Sequence, residues 1–554
     1  MKDKTFEDEY MKIDAGNEYE LTIESISSDG NGVGHIGAMA VFVPFTAAGD
    51  RVRVRVTTVK KSYAVAETAE LLEASPLRRE PECPLFFVCG GCALMHMSYE
   101  AQLDAKKAVI ENAMRRIGGF AKFELDEMLG AENPEQYRNK IVFHAAQENG
   151  NPVFGFYGPK THRVIPLGNC LMGDRRNQSI IAAVEDYMSE TSLRAYDEHT
   201  GKGAVRMLFT RTSYSSGGMM VVLSVNGIKL PKQELLIKKL TDAVPEIESI
   251  ILNVNTAKRN HALGARNITL YGADFIEDEI DGVKFRISPH SFFQINPEMT
   301  KRLYGKALEY ADIDEKKTVM DIYCGIGTIS LLAAKKAKRV TGVEIVEKAI
   351  EDATENAEAN GIYNADFHAS SAEDIVPKLI QCGARPDIII LDPPRKGSDA
   401  KTLESILNAA PERIVYVSCN PATLARDAKL LCEGGYKIDK SAGCDMFANT
   451  VHVETVVLLC RKTPDDVIKV KLSLDELELT SAESKATYEK IKEYVMRNFG
   501  LKVSTLYIAQ TKRKLGIAMG ENYNMPKSIE STQPQCPPDK EAAIVKALEH
   551  FKMI

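Results

Sequence analysis

The sequence predicts a multidomain protein: an N-terminal OB-like β-barrel, a central mixed β region, an α/β Rossmann-like domain and a small C-terminal α+β appendix. A length of 554 residues exceeds what one hydrophobic core supports. The first part alternates apolar and polar residues, as strands do, whereas a later part alternates apolar strands with helix-length stretches, as parallel sheets do. We expect the domains to cover residues 15–74, 75–281, 282–462 and 463–554.

The bulk composition restricts the class of protein. No apolar run approaches the roughly 18 residues of a membrane span, and the start, MKDKTFEDEY, is acidic rather than signal-like. We therefore expect a cytoplasmic monomer that does not enter membranes. The net charge of −7 does not exclude nucleic acid, because net charge does not describe one binding face. The eleven cysteines, an odd number, are better read as metal or catalytic sites than as disulfides.

The barrel is predicted from four strand-like stretches, YELTIESI, AVFVPF, RVRVRVTTV and YAVAETAELL, and the first two connections between them are the turns SSDGNGVG and TAAGD. This text resembles the TRAM domain, an OB-like barrel found on RNA-modifying enzymes. The resemblance implies RNA binding, with five cations as candidate phosphate contacts: Arg51, Arg53, Arg55, Lys60 and Lys61. The alternative is that the arginines only mark the solvated face of a strand.

Four cysteines form a candidate metal centre. Cys83, Cys89 and Cys92 lie close together, and Cys170 lies far downstream in PLGNC. Three near thiols and one remote thiol suit tetrahedral zinc and a cubane iron–sulfur cluster equally well. Helical spacing of apolar residues predicts a helix over 99–118, which we expect to pack on the catalytic domain.

The Rossmann-like domain is predicted from the strands TVMDIY, RVTGVE, PDIIILD and RIVYVSC. Asp321 ends the first strand, and Gly325 and Gly327 occupy the turn before the next helix, where small residues let a ligand approach the backbone. Ser330 stands where a dinucleotide fingerprint has its third glycine, which favours S-adenosylmethionine over NAD. Glu344 ends the second strand, where a carboxylate can accept hydrogen bonds from ribose hydroxyls.

Three further residues lie at the same sheet edge. Asp392 follows the strand IIIL and is expected to face the cofactor or the substrate base. Cys419 ends another strand, where a thiolate could add to C6 of uracil and make C5 nucleophilic. Glu454 begins a neighbouring strand and is the candidate base that removes the C5 proton, with His452 as the rival.

Five motifs occur in order: FFQIN, DIYCGIGT, LDPPR, VSCNPATLARD and HVE. Behind a TRAM-like barrel, this set strongly resembles the RNA uracil-5 methyltransferases, over about residues 15–462. The resemblance implies that Cys419 is the nucleophile and Glu454 the base. It further implies that S-adenosylmethionine is bound by Gln294, Tyr323, Glu344 and Asp392, and that a [4Fe–4S] cluster is bound by Cys83, Cys89, Cys92 and Cys170.

The expected substrate is an accessible uridine, because extracting a stacked base costs a few kcal/mol. The resemblance is closest to the 23S ribosomal RNA group, and we expect related transfer RNA enzymes to lack the barrel and the cysteine cluster. Candidate RNA contacts are Tyr137–Lys140 and Lys258–His261. Two alternatives remain: an Asp-Pro-Pro-type RNA N-methyltransferase, and a catalytically silent RNA-binding ribosome-assembly factor.

The C-terminal appendix is predicted to hold a helix over 481–500, a strand pair over 503–510 and 514–520, and a last helix over 539–551. The helix–strand–strand order, together with Lys512, Arg513 and Lys514, suggests a winged-helix-like RNA-binding module.

Overall fold

The computed structural model describes residues 13–159, 161–257, 262–462, 488–515 and 536–551. The chain divides into two compact units, 1–464 and 465–554. None of the helices in these ranges has the length and apolar character that crossing a membrane requires.

The first unit begins with a six-stranded sheet in which strands alternate buried and exposed residues. Its order is β1-β5-β6-β4-β3-β2, and its core is formed largely by valines such as Val41, Val43, Val52 and Val54. The strands are β1 (Glu18–Thr22), β2 (Ser25–Ile26), β3 (Gly32–Ile36), β4 (Met39–Val43), β5 (Arg51–Val59) and β6 (Tyr63–Glu73).

The arginines on the polar face of β5 form cross-strand ion pairs. Arg51 and Arg53 both bind Glu20 of β1, and Arg55 binds Glu18 at 2.9 Å. Carboxylates of the neighbouring strand therefore already occupy these guanidinium groups, as the solvated-face interpretation predicts. Lys60 and Lys61, in the turn after β5, are exposed.

The central region is built around a seven-stranded mixed sheet of order β10-β9-β8-β11-β12-β13-β14. Helices α2 and α3 contact each other and pack on this sheet against β9 and β13. Its elements are α1 (Tyr99–Arg116), β7 (Glu127–Leu129), β8 (Lys140–Glu148), β9 (Asn151–Tyr157), β10 (Val164–Pro166), α2 (Asn177–Glu190), β11 (Val205–Thr212), β12 (Met219–Val225), α3 (Gln233–Ala243), β13 (Ile247–Val254), β14 (Arg266–Gly272) and the separate hairpin β15 (Ile276–Ile280) and β16 (Val283–Ile287).

The third part is a doubly wound sheet of order β19-β18-β17-β20-β21-β23-β22-β7. The five strands from β19 to β21 are parallel, and β17, β20 and β21 among them are almost entirely buried, whereas β23 runs antiparallel to β21. Its elements are α4 (Pro297–Ala311), β17 (Thr318–Ile322), α5 (Thr328–Ala334), β18 (Arg339–Glu344), α6 (Glu347–Ala359), β19 (Ala365–Ala369), α7 (Ala372–Gln381), β20 (Ile388–Leu391), α8 (Ala400–Ala409), β21 (Arg413–Ser418), α9 (Pro421–Glu433), β22 (Tyr436–Cys444) and β23 (Glu454–Arg461).

Helix α1, which precedes the central sheet in the chain, packs on this third part. It contacts α9 and β22, and the strand that follows it, β7, extends the same sheet beside β22. Lys106 of α1 donates to Asp445 at 2.5 Å, and both side chains are buried. Tyr99 donates to the same carboxylate at 2.9 Å. A buried charge pair thus joins the helix to the segment that follows β22.

The second unit is helical in its described residues: α10 (Tyr488–Phe499), α11 (Thr505–Lys514) and α12 (Pro538–His550). The expected strand over 503–510 is wrong, since Ser504 caps α11 by accepting a hydrogen bond from the backbone N–H of Tyr507 at 3.2 Å. Ile508 packs on Ile491 and Ile544 of the other helices. Most of the second expected strand, residues 516–520, lies outside the described residues.

The buried pair Lys106–Asp445 yields a stability prediction. Lys106→Met leaves the Asp445 carboxylate buried without its cation, so we expect a loss of about 3–5 kcal/mol in the free energy of unfolding, measured by urea denaturation. The adjacent Lys107→Met removes an exposed pair with Glu111 and should change it by no more than about 1 kcal/mol. Equal effects of the two substitutions would contradict the role given to the buried pair.

Candidate active site and cofactor pocket

A pocket of about 600 Å³ lies at the carboxyl edge of the parallel strands. Ligands of open α/β sheets bind at this edge because the strand ends and the following turns converge there. Eight of the nine active-site and cofactor residues expected from the sequence line it: Gln294, Asp321, Tyr323, Gly325, Glu344, Asp392, Cys419 and Glu454. Gly327 does not line the pocket; it is the residue that begins α5.

The turn after β17 is shaped by left-handed backbone conformations. Tyr323, Gly325 and Gly327 have φ angles of 72°, 56° and 82°. A Cβ atom on Gly327 would lie 3.2 Å from the side chains of Ala353 and Phe367, so the glycine also permits close packing. Tyr323 adopts this conformation although it has a side chain, and such local strain is typical of binding sites.

The backbone N–H of Gly325 donates to Glu344 at 3.3 Å. The other oxygen of Glu344 accepts from the backbone N–H of Val346 at 3.0 Å. The carboxylate is therefore held at the pocket wall by two main-chain donors.

Asp321 is buried, and only one of its two carboxyl oxygens has a hydrogen-bond partner among the described residues. Its Oδ2 accepts from Ser330 at 2.5 Å, whereas no partner for Oδ1 occurs among the described residues. Ser330, which stands in place of a third glycine, thus has a direct function as the partner of this carboxyl group. A buried acceptor without a donor is costly unless a ligand supplies one. The site fits a cofactor that brings an ammonium group.

Acidic side chains dominate the pocket. Burial raises the pKa of Asp321 to about 7 and that of Asp392 to about 6. Burial also raises the pKa of Glu454 to about 8; the charge of Asp392 adds to this rise and Arg395 opposes it. No ion pair to these three carboxyl groups forms within the part of the chain that the structure describes. A cationic ligand such as a sulfonium would stabilise their ionised forms.

Cys419, directly after β21, is a half-buried free thiol. Burial raises the pKa of this thiol to about 11, with further contributions from Glu454 and Asp392, whereas Arg395 lowers it. The following turn is well anchored: Asn420 caps α9 and donates to the carbonyl of Arg395 at 3.0 Å, which ties the cysteine turn to the Asp392 turn. The thiol is therefore protonated at neutral pH and needs a proton acceptor to react.

The pocket-lining residues that the sequence did not single out as site residues include Phe292, Tyr304, Arg395 and Phe447. The aromatic ring of Phe292 is 66% exposed, which is rare for a phenylalanine and marks a surface that a flat ligand could cover. His452, the rival base, also lines the pocket; burial lowers its pKa, so its imidazole is neutral at pH 7. Tyr304 belongs to the ordinary apolar face of α4, and no sequence signal singles it out.

The four expected metal-binding cysteines line a second cavity of about 400 Å³. Burial, followed by the neighbouring Cys170, Cys89 and Cys83, raises the pKa of Cys92 to about 12. No group of three His, Cys, Asp or Glu side chains able to hold a metal ion occurs among the residues that the structure describes. The donor set nevertheless fits a group of several atoms, since four thiols face one largely apolar cavity.

The first candidate RNA-contact segment is more buried than expected. Tyr137 donates to the carbonyl of Ala448 at 3.0 Å, and Asn139 donates to the carbonyl of Gln294 at 3.0 Å. Arg138 and Lys140 line the cysteine cavity. These residues connect the two cavities instead of forming a solvated loop. The second segment, Lys258–His261, lies outside the described residues.

Comparison with known proteins adds a family and a fold. Residues 98–462 match the family described as tRNA (uracil-5-)-methyltransferase, and residues 19–77 match the TRAM domain of tRNA (uracil(54)-C(5))-methyltransferase. An uncharacterized RNA methyltransferase of Clostridium tetani is 44% identical over 80% of this chain and 96% of its own length. One of Halalkalibacterium halodurans is 42% identical over 79% of this chain and 96% of its own length.

Among solved structures, the Pyrococcus abyssi tRNA (uracil-54, C5)-methyltransferase in complex with S-adenosyl-L-homocysteine is similar. Its TM-score is 0.64 and its identity 28%, and the match covers 80% of this chain and all of that one. The TRAM domain and the methyltransferase fold expected from the sequence are thereby confirmed. The expectation that transfer RNA enzymes lack the barrel is wrong, since the matched TRAM model belongs to such an enzyme.

The raised pKa of Glu454 predicts a pH-dependent stability. A carboxyl group whose folded pKa is about 8 stabilises the fold below its usual pKa of 4.5 and loses that contribution as the pH rises towards 8. Glu454→Gln should therefore gain Tm relative to wild type between pH 5 and pH 9, by roughly a few degrees. The exposed Glu404→Gln serves as the control and should show no such trend. A pH-independent difference for Glu454→Gln would contradict the assigned pKa.

Proposed function

The chain belongs to the S-adenosylmethionine-dependent RNA (uracil-5-)-methyltransferase family with an N-terminal TRAM domain, and from this premise we propose that it methylates C5 of a specific uridine in 23S ribosomal RNA. One observation carries the proposal: Cys419 and Glu454 line the same pocket as the cofactor residues. C5 methylation of uracil needs a nucleophile for C6 and a base for the C5 proton within reach of one methyl donor.

In the proposed mechanism the half-buried Cys419 gives its proton to solvent water, and the resulting thiolate bonds to C6 of the uracil. The ring becomes an enolate, and its C5 carbon forms a bond to the methyl group. S-adenosylmethionine, when bound, supplies that methyl group as an electrophile. Glu454 then removes the proton from C5, the C5–C6 double bond returns, and the C6–S bond breaks. The raised pKa of Glu454 makes it a stronger base than an exposed glutamate.

We assign the cofactor contacts from the pocket. Glu344 is placed to accept hydrogen bonds from the ribose hydroxyls, and the unpartnered Oδ1 of Asp321 is available to an ammonium group. Gln294, Tyr323 and Asp392 complete the wall. Together these acids provide the charge that a cationic cofactor needs.

We further propose that Cys83, Cys89, Cys92 and Cys170 hold a [4Fe–4S] cluster with a structural role. The support is the donor set, four thiols around one cavity, with Arg138 and Lys140 as neighbouring cations that suit an anionic group. The four thiols would connect the segment after the barrel to the central sheet. Zinc on the same thiols is the alternative, and iron and sulfide analysis of protein isolated without air decides between them.

Transfer RNA is the second candidate substrate. The similar Pyrococcus abyssi enzyme is named for uracil-54 of tRNA, and the matched TRAM model also comes from a tRNA enzyme. The barrel therefore does not discriminate between the two RNAs. A ribosomal target rests on the cysteine set and on the resemblance of the motifs.

A 5-fluorouridine experiment tests the proposal. Fluorine at C5 cannot leave as a proton, so the covalent complex between Cys419 and the RNA should persist on a denaturing gel. We expect a shifted band with a 23S RNA fragment and S-adenosylmethionine for wild type, and none for Cys419→Ala. Cys432→Ala, a half-buried cysteine of α9 that does not line the pocket, serves as the control and should behave like wild type.

Other outcomes have distinct meanings. A band with a tRNA transcript but not with the 23S fragment would overturn the ribosomal target and support the second candidate. No band with either RNA, while unmodified RNA is still methylated, would overturn the covalent mechanism and favour amino-methylation through Asp392-Pro-Pro. No methyl transfer to either RNA would favour a silent assembly factor.

A further inference from the structure

The segment 445–453, between β22 and β23, forms part of the pocket wall; we call it the base loop. Phe447 and His452 of this loop line the pocket, and Glu454 follows it directly. Asn449, in the middle of the loop, is fully buried and does not line the pocket. Its φ angle of 64° is left-handed, a conformation that asparagine adopts more readily than most residues with a side chain.

Every polar group of Asn449 has a partner. Its backbone N–H donates to Gln102 of α1 at 2.9 Å, and its side-chain oxygen accepts from the same amide at 3.1 Å. Its side-chain nitrogen donates to the carbonyl of Pro134 at 3.2 Å. Its own carbonyl accepts from the backbone N–H groups of Ala93 and Leu94 at 2.9 and 3.0 Å. Three separate segments thus hold one residue.

One of these segments begins next to Cys92, a member of the cysteine cavity. Because Ala93 and Leu94 bond the carbonyl of Asn449, the cysteine-bearing segment and the base loop share this residue as a fixed point. A buried hydrogen-bond network with all its members satisfied specifies one arrangement, whereas a missing member leaves buried groups unpaired.

Contacts within the base loop connect Asn449 to the residues that line the pocket. Thr450 donates to the carbonyl of Phe447 at 2.7 Å, and the backbone N–H of His452 donates to Thr450 at 3.2 Å. The rings of Phe447 and His452 meet edge to face with centroids 5.9 Å apart. Movement of Asn449 would therefore move the two pocket-lining rings and the start of β23, where Glu454 is located.

We propose that Asn449 is a positioning residue for the proton-removal step: it sets the base loop so that His452 and Glu454 face the methylated uracil, and it couples that geometry to the cysteine-bearing segment. This inference rests on the proposed C5 chemistry. Cys419 follows β21, the strand that pairs with β23, and so lies near Glu454, but its own turn is held separately by the bond between Asn420 and Arg395. Attack by Cys419 should therefore depend little on Asn449, whereas proton removal should depend on it strongly.

Two variants of the full chain separate the steps. Asn449→Gly allows the left-handed backbone and removes the side-chain hydrogen bonds. Gln102→Leu removes the amide that binds Asn449 and leaves every residue of the base loop unsubstituted. For both we expect near wild-type formation of the covalent complex with 5-fluorouridine RNA. Tritium release from [5-³H]uridine RNA should slow about 10- to 100-fold, and the covalent complex should accumulate on unmodified RNA. Asn253→Ala, which removes a buried amide of β13 bonded to Gly264, should not change this partition.

The outcomes distinguish the inference from the proposal on which it rests. Equal slowing of complex formation and tritium release in both variants would give Asn449 a merely structural role and overturn the inference. Unchanged tritium release in folded variants would also overturn it. Absence of the covalent complex in wild type would instead overturn the C5 mechanism, and the inference with it.

Discussion

Three carboxyl groups share one pocket and find no paired cation among the described residues; this constraint governs the rest of the site. Burial raises the pKa values of Asp321, Asp392 and Glu454, and neighbouring carboxylates add to the rise for Asp321 and Glu454. Burial, with further contributions from Glu454 and Asp392, also raises the pKa of the Cys419 thiol and keeps it protonated. A sulfonium cofactor reverses both effects, because a positive charge favours carboxylate and thiolate together. In the mechanism that we propose, cofactor binding and activation of Cys419 are therefore linked electrostatically.

The side chains of the pocket are positioned in two different ways. Asp321, Glu344, Asp392 and Cys419 come from the ends of parallel strands, whose convergence follows from the fold. Glu454 begins an antiparallel strand, and the loop before it is held by residues far away in the chain, including Lys106 of α1. The segments after the barrel thus help to shape the pocket through buried polar contacts.

The sequence was informative where chemistry lies in short motifs at strand ends, since the strand pattern places Asp321, Glu344 and Cys419 at one edge. It was uninformative where partners are distant in the chain: Asn449 and Gln102 are 347 positions apart, and neither carries a local signal. The strand expected around Ile508 failed because a serine cap and helical burial outweigh β-branched residues. The sequence suggested Arg51 and Arg53 as phosphate contacts because it does not show that both bind Glu20 on the neighbouring strand.

The central claim is that the methyl group reaches C5 of uracil. The direct measurement is mass spectrometry of nucleosides from a 23S RNA fragment and from a tRNA transcript, each treated with the full chain and S-adenosylmethionine. We predict 5-methyluridine as the product, at one position of the 23S fragment. A methyl group on a base nitrogen, an exocyclic amine or a ribose hydroxyl would contradict the account, because Cys419 and Glu454 would then have no function in the reaction.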